Sequence, residues 1–366
     1  MGELVKILMI AGASRSVIWF REELIKYLQD KDISIEIVAC DNENREKIES
    51  LGVKFYSIGS NNRDKGIFSN IAYVIRLSKL IKQIKPDKIM TFQAKPNTFG
   101  IIAAKKAGYK DITAMVEGLG SVFNDNSLKN RIIKIITTIL YKIAFKKIPT
   151  VIFLNKDNKK RFLDCRIAKE NQCFLINGIG VDINKFKQKN QPNIDIIKFV
   201  MIARIEKDKG IVEYCEAAKS IINSGVSNVE FNYYGICDEE HNIIEDYKDY
   251  VKYRGYTDKV LDIYENNHIV VLPSYHEGCP RSLMESCSIG RAIIASNIAG
   301  CKAMVKNGKN GLLVNVKDVN DLIEKVKFFI ENKSQINIMG QASRKIAEEI
   351  FDSNIINAQI FERIMQ

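Results

Sequence analysis

Two carboxylates frame the stretch HEGCPRSLMES, His276 to Ser286: Glu277 and Glu285, with Gly278 and Pro280 between them. Directly before it stands IVVLPS (269–274), an apolar run that reads as a buried strand. A loop leaving the carboxyl end of such a strand and entering a helix at Pro280 or Arg281 offers backbone N–H groups and the positive end of a helix dipole, a setting suited to a diphosphate. Gly278 lets the backbone approach a ligand closely. Glu277 would sit in the loop beside a phosphate-linked sugar, and Glu285, further along the helix, could accept two hydrogen bonds from a vicinal diol such as that of a ribose. Taken alone, the same pair also fits a helix-start acid and a solvated face, because short motifs match often by chance. The surrounding order of strand, glycine, proline and helix favours the site.

A second segment points the same way. MIARIEKDKG (201–210) puts Arg204 at a strand end and Lys209 just ahead of Gly210 and a predicted helix. Two cations there can clamp a diphosphate and neutralise charge on a departing nucleotide. Without the first motif they would read as surface charge.

These residues need strands and helices to hold them, and the chain supplies both in alternation. VKILMIAG (5–12), SIEIVAC (34–40), KFYSIG (54–59), DKIMTFQ (87–93), DITAMVEG (111–118) and TVIFLN (150–155) read as strands, several apolar almost throughout, as buried parallel strands are. Helical patterns lie between them; in 66–84, Ile67, Ile71, Val74, Ile75 and Ile81 share a face opposite Arg76, Lys79 and Lys82. The rhythm restarts after residue 190 with IIKFVMIA (196–203), VEFNYYG (229–235), VKYRGY (251–256), NHIVVLPS (267–274), AIIASN (292–297) and NGLLVNV (310–316), with helices near 209–223, 280–289, 318–331 and 334–349. The fold class predicted is α/β, two Rossmann-like lobes with doubly wound parallel sheets. The polar run FKQKNQPNID (186–195) sets the boundary, giving lobes 1–187 and 188–366, the last helix being free to pack back on the first. A cleft between the carboxyl ends of the two sheets would hold the ligands.

At 366 residues, the length agrees with two domains, and a hydrophobic content of 46% with 27% charged residues is that of a globular chain. The net charge of +11 is uneven: residues 1–185 carry +13 and residues 186–366 carry −2. A basic half beside a neutral one suggests a polyanionic partner: nucleic acid, an anionic membrane surface or a phosphorylated acceptor. The positives are spread over helix faces without the aromatic interleaving of single-strand binders, which argues against nucleic acid. The eight cysteines form no C-x-x-C pair and only His241, His268 and His276 accompany them, so no zinc site is expected. The sole D-x-D, Asp30-Lys31-Asp32, reads as a turn rather than a metal site. MGELVKILMIAG lacks the pattern of a signal peptide, and Lys6 stands where a myristoylation signal wants Ser or Thr, so a cytoplasmic location with free thiols is expected. AGASRS (11–16) has Gly12 but then Ser14 and Val17 where a dinucleotide fingerprint needs glycines, which argues against NAD binding.

The combination R-x4-K-G, then E-G-x-P-x4-E some seventy residues on, resembles the donor-binding signature of retaining glycosyltransferases of family 4, which have the two-lobed GT-B fold. INGIGVDINKF (176–186) and GCKAMVKNGKNGLLV (300–314) are similar to further segments of that family. The resemblance implies that Arg204 and Lys209 bind the donor diphosphate and Glu285 the nucleotide ribose. It implies that Glu277 contacts the sugar's hydroxyls and helps stabilise the developing oxocarbenium ion. The loop of Gly278, Cys279, Pro280, Arg281 and Ser282 would line the sugar and phosphate site, with Tyr275 and His276 near the donor pocket.

In the first lobe the resemblance implies an acceptor site. Gly12, Ala13 and Ser14 follow strand one; Lys95 and Asn97 lie in QAKPNTFG (93–100); Glu117 and Gly118 lie in MVEGLGSVF (115–123). The last two segments look like those of bacterial transferases, N-acetylgalactosaminyl transferases among them, that add an early sugar to a polyprenyl-diphosphate-linked saccharide. Many family members have a His where Glu117-Gly118 stands. The expectation is therefore a retaining transferase using a UDP-hexosamine or UDP-hexose, with no cofactor and no metal, acting peripherally at the cytoplasmic face of the inner membrane. SLKNRIIKIITTILYKIAFKKI (127–148), basic and rich in Ile, or the helix over 66–85, would make the membrane contact, unless the Ile face packs on the sheet. A nucleotide-sugar epimerase of the same fold, a nucleic-acid-binding protein and a catalytically inactive partner subunit are the rivals.

Overall fold

A computed structural model describes residues 4–60, 66–118, 128–237 and 243–366, the side chains of 128–131 excepted. Residues 119–123 of the MVEGLGSVF segment, Ser127, the side chains of Lys129 and Arg131, and His241 therefore lie outside the described residues. The chain divides into two units, one of residues 1–179 with 353–366, the other of 180–352.

The first unit is built on seven strands: β1 Lys6–Ile10, β2 Ser34–Ala39, β3 Lys54–Ser57, β4 Lys88–Phe92, β5 Ile112–Val116, β6 Thr150–Phe153 and β7 Cys173–Leu175. They pair in parallel in the order β3-β2-β1-β4-β5-β6-β7. β7 was not foreseen, because three residues at a sheet edge are too few to carry a period. The second unit holds β8 Ile197–Ile202, β9 Val229–Tyr234, β10 Lys252–Tyr253, β11 Ile269–Leu272, β12 Ala292–Ser296 and β13 Gly311–Val314. Their order is β10-β9-β8-β11-β12-β13, again parallel. The strand expected over 251–256 shrinks to Lys252–Tyr253, since it is an edge strand with exposed side chains and no core face to extend it. In each sheet the winding reverses once, between β1 and β4 and between β8 and β11. Loops after those strands are where an open α/β sheet binds ligands.

The boundary falls at Ile179/Gly180, ahead of the polar run chosen from sequence. The physical reason is a pair of arginines in the second unit. Arg291, fully buried, donates from Nη1 to the Lys189 carbonyl (3.0 Å) and from Nη2 to that of Asn190 (2.9 Å). Arg344 Nη1 donates to the carbonyls of Ile183 and Phe186 (3.2 and 3.0 Å). Segment 183–190 is thus fastened to the second unit, and composition alone could not reveal it. The final helix, Ser353–Met365, belongs to the first unit, with Phe361 edge-on to Tyr27 and Arg363 over Phe174.

One helix face differs from expectation. In the Ile67–Ile84 helix the buried residues are Asn70, Tyr73, Leu77, Ser78, Ile81 and Ile84, whereas Ile67, Ile71 and Ile75 are exposed. Tyr73, Leu77 and Ile81 together fill the core, the Tyr73 ring lying beneath the Lys95 ammonium (5.1 Å). The helix is rotated accordingly.

His268 is buried just ahead of β11. Its Nδ1 accepts the Lys198 amide (3.0 Å) and its Nε2–H donates to the Pro192 carbonyl (3.2 Å), which fixes the neutral tautomer. Burial pushes its pKa down from 6.5 to about 4. An unfolded chain takes up this proton near pH 6.5 and the folded chain only near pH 4, so the stability present above pH 6.5 is lost as pH falls through that window, by roughly 2–3 kcal/mol. Urea unfolding of the wild type and of His268→Gln between pH 7 and 4 checks this. The wild-type midpoint should fall more steeply.

Candidate active site

In the second unit the switch-point loops meet through their backbones. After β8, residues Lys207–Lys209 make one 3-10 turn and Gly210 adopts a left-handed φ of 78° to start the Ile211–Asn223 helix. A Cβ on Gly210 would lie 2.2 Å from the Pro273 carbonyl oxygen, so the loops after β8 and β11 approach as only glycine allows. The Tyr275 amide donates to the Asp208 carbonyl (2.8 Å), and Tyr275 Oη donates to buried Glu213 Oε1 (2.6 Å). Burial and that carboxylate together hold the Tyr275 phenol well above its ordinary range. On the far side, a Cβ on Gly300 would lie 2.3 Å from the Glu277 carbonyl oxygen.

This frame brings Lys209 and Glu277 together. Lys209 Nζ contacts Glu277 Oε1 at 2.9 Å, and Ser274 Oγ donates to the same oxygen at 2.9 Å. Both charged side chains keep a little solvent access, 17% and 13%. Arg204 lies on the same loop, paired with Glu206, and the Tyr233 hydroxyl holds its carbonyl (3.1 Å). The Arg281–Ile289 helix begins as expected after Pro280. Among the described residues no side chain caps it and its first turn holds no acid, so the positive end of its dipole is not offset by an acid of its own first turn.

Glu285 is buried rather than solvated. Its Oε2 accepts from Tyr264 Oη (2.8 Å) and its Oε1 from Arg281 Nε (2.6 Å). Tyr264, fully buried, is pushed well above its usual range by burial and by this carboxylate. Each carboxylate oxygen has a second lone pair, so acceptor capacity remains. Cys279 Sγ lies 3.8 Å from Met284 Sδ, and the Ser282 carbonyl accepts from Tyr264 Oη (3.2 Å). Sequence reasoning missed Ser274, Glu213 and Tyr264 as supports. Only Ser274, three residues before Glu277, carried a usable signal.

In the first unit the structure divides the expected acceptor residues. Gly12 donates its amide to Gln93 Oε1 (2.9 Å), and Ala13 is the extended residue before the Ser14–Phe20 helix. Ser14 is fully buried and bonded to Asp41. Asn97 is buried too: it accepts from Thr91 Oγ1 (2.6 Å) and donates to the Met115 carbonyl (2.7 Å), stapling β4 to β5. Ser14 and Asn97 thus fasten the loops in which they stand. Lys95 is buried, with Nζ 3.2 Å from Ser60 Oγ. Glu117 is partly exposed and Gly118 is exposed.

Two parallel-sheet Rossmann-like units with these strand orders are those of the GT-B fold. Residues 6–155 match the family described as glycosyl transferase 4-like and residues 182–346 the family described as glycosyl transferases group 1. The chain belongs to the family 4 glycosyltransferases and is an enzyme of that kind. Among its relatives is the N,N'-diacetylbacillosaminyl-diphospho-undecaprenol alpha-1,3-N-acetylgalactosaminyltransferase of Campylobacter jejuni, 29% identical over 98% of both chains. Another is the UDP-Gal:alpha-D-GlcNAc-diphosphoundecaprenol alpha-1,3-galactosyltransferase of Escherichia coli, 27% identical over 77% of this chain and 76% of that one. Among solved structures, Anabaena HepE in complex with UDP superimposes with a TM-score of 0.77, at 17% identity and covering 98% of this chain and 99% of that one, a likeness of fold.

Proposed function

We propose that this enzyme takes a UDP-sugar, UDP-N-acetylgalactosamine or a related UDP-hexosamine or hexose, and transfers the sugar with retention, in α linkage, to a saccharide carried on undecaprenyl diphosphate. The observation that carries the reading is the Lys209–Glu277–Ser274 constellation beside the uncapped Arg281 helix. The full-length similarity to the Campylobacter enzyme supports the substrate class.

In this reading the diphosphate lies against Arg204, Lys209 and the amides of residues 278–282. Those groups meet the negative charge that grows as the glycosidic bond breaks, so the step needs no metal or cofactor. Glu277, oriented by Lys209 and Ser274, accepts hydrogen bonds from the sugar's hydroxyls and faces the developing oxocarbenium ion. Glu285 receives the ribose diol on its remaining lone pairs. The acceptor hydroxyl attacks on the face the diphosphate leaves, and a diphosphate oxygen takes its proton. Product analysis tests this: an α-linked sugar on a lipid-diphosphate saccharide is expected, and a β-linked product would overturn retention.

The first unit meets an anionic membrane surface in the same reading. Among the described residues no helix is long and apolar enough to cross a membrane. Instead Ile132, Ile135, Ile136, Ile139 and Ile143 stand exposed along one face of the Leu128–Phe145 helix, and Ile67, Phe68, Ile71 and Ile75 along the Ile67–Ile84 helix. The Ile face is thus not the packing face; Tyr141, Ala144 and Phe145 fill that role against Phe162. Exposed apolar stripes in a half carrying +13 suit an interfacial location, each basic residue near anionic lipid adding about 1 kcal/mol. Flotation with phosphatidylglycerol vesicles should recover the protein at low salt. Ile136→Asp with Ile139→Asp should cut recovery at least several-fold.

A further inference from the structure

Arg21 joins the Ser14–Phe20 and Glu22–Gln29 helices, and it is only 3% exposed. Its guanidinium lies 4.1 Å over the Phe92 ring at the end of β4, and Nη1 donates to the Phe20 carbonyl (3.0 Å). Nη2 forms a salt bridge with Glu117 Oε1, directly beyond β5. Burying a guanidinium is unfavourable unless it is paired, so the placement has to be supported by its partners. Glu117 is the open end of the pair. Its side chain retains 22% exposure, and among the described residues nothing beyond its chain neighbours stands within 4 Å of where a Cβ on Gly118 would be. The pair reaches solvent at the carboxyl edge of β5, next to the β1/β4 switch point.

We propose that Glu117 binds the acceptor sugar and that Arg21 is the positioning residue that holds its carboxylate, through the salt bridge braced on Phe92. A carboxylate accepts but does not donate, and its two oxygens offer about four lone-pair sites, more than one guanidinium contact consumes. The matching group on the acceptor is a hydroxyl or an acetamido N–H that does not itself react. The guanidinium's planar fork fixes the carboxylate's direction in a way a lysine cannot. This inference rests on the transferase reading above.

Steady-state kinetics of Glu117→Gln, Arg21→Lys and the double variant test it, with folding followed by circular dichroism. Glu117→Gln should raise the acceptor KM at least ten-fold while the donor KM and UDP affinity stay put. Arg21→Lys should raise the acceptor KM similarly in the wild-type background and add almost nothing in the Glu117→Gln background, since residues acting through one contact are non-additive. Multiplying effects would mean that Arg21 acts on structure alone, and an unchanged acceptor KM in Glu117→Gln would remove Glu117 from the acceptor site; either overturns the proposal. If the wild type turns over no UDP-sugar with any lipid-diphosphate acceptor, the transferase reading fails first and takes this one with it.

Discussion

Lys209→Ala and Glu277→Ala each lower kcat for sugar transfer by about 10²–10³-fold or more, the loss typical of removing one preorganised electrostatic group from a reacting centre. The two side chains touch at 2.9 Å and share Ser274 as a neighbour, so they act as a unit. The double variant should cost little beyond the worse single one. Stability is expected to change far less. The pair keeps some solvent access, and losing one partner costs about 1–2 kcal/mol, a few degrees in Tm. UDP affinity separates the roles: Lys209→Ala should weaken it, whereas Glu277→Ala should leave it close to wild type, because Glu277 faces the sugar. Isothermal titration with UDP beside single-turnover kinetics reads both.

Gly300→Ala is the second large effect, and it comes from a residue with no functional group. The added methyl would stand 2.3 Å from the Glu277 carbonyl oxygen and 3.1 Å from that of Gly278. These are backbone atoms, so no rotamer change relieves the contact. Either the short Ala299–Lys302 helix or the 277–278 loop moves by roughly 1 Å, and a displacement of that size at a reacting centre costs about 10²-fold in rate. Overpacking of this kind also costs about 1–3 kcal/mol of stability. The expected signature is a fall in kcat/KM much larger than the fall in Tm implies. Equal, small effects would mean that the loop after β11 is not held against Gly300.

The strands were legible because buried parallel strands are apolar throughout, and the helix starts at Arg281 and Ile211 because Pro280 and Gly210 announce them. Less visible were features set by contact at a distance. The exposed Ile67, Ile71 and Ile75 share a period with the core, and only the packing of Tyr73 and Leu77 decides which face turns inward. Segment 183–190 is polar enough to pass for a linker, yet Arg291 and Arg344 bind its carbonyls from more than fifty residues away in sequence. At the site, Lys209 and Glu277 stand out in the sequence as residue types, and the structure brings them into contact. Their pairing through Ser274, and the Tyr264 hydroxyl on Glu285, depend on side-chain directions that spacing does not encode. The internal bonds of Ser14 and Asn97 were equally out of reach, because short polar side chains in the segments after strands serve neighbouring loops as readily as ligands.

The most direct test of the central claim is UDP release by the purified protein with a panel of UDP-sugars, with and without a synthetic polyprenyl-diphosphate monosaccharide or disaccharide. The account predicts release that depends on the acceptor and is strong with one sugar, UDP-N-acetylgalactosamine or a close relative. Absence of UDP binding together with silence for every pair would contradict it.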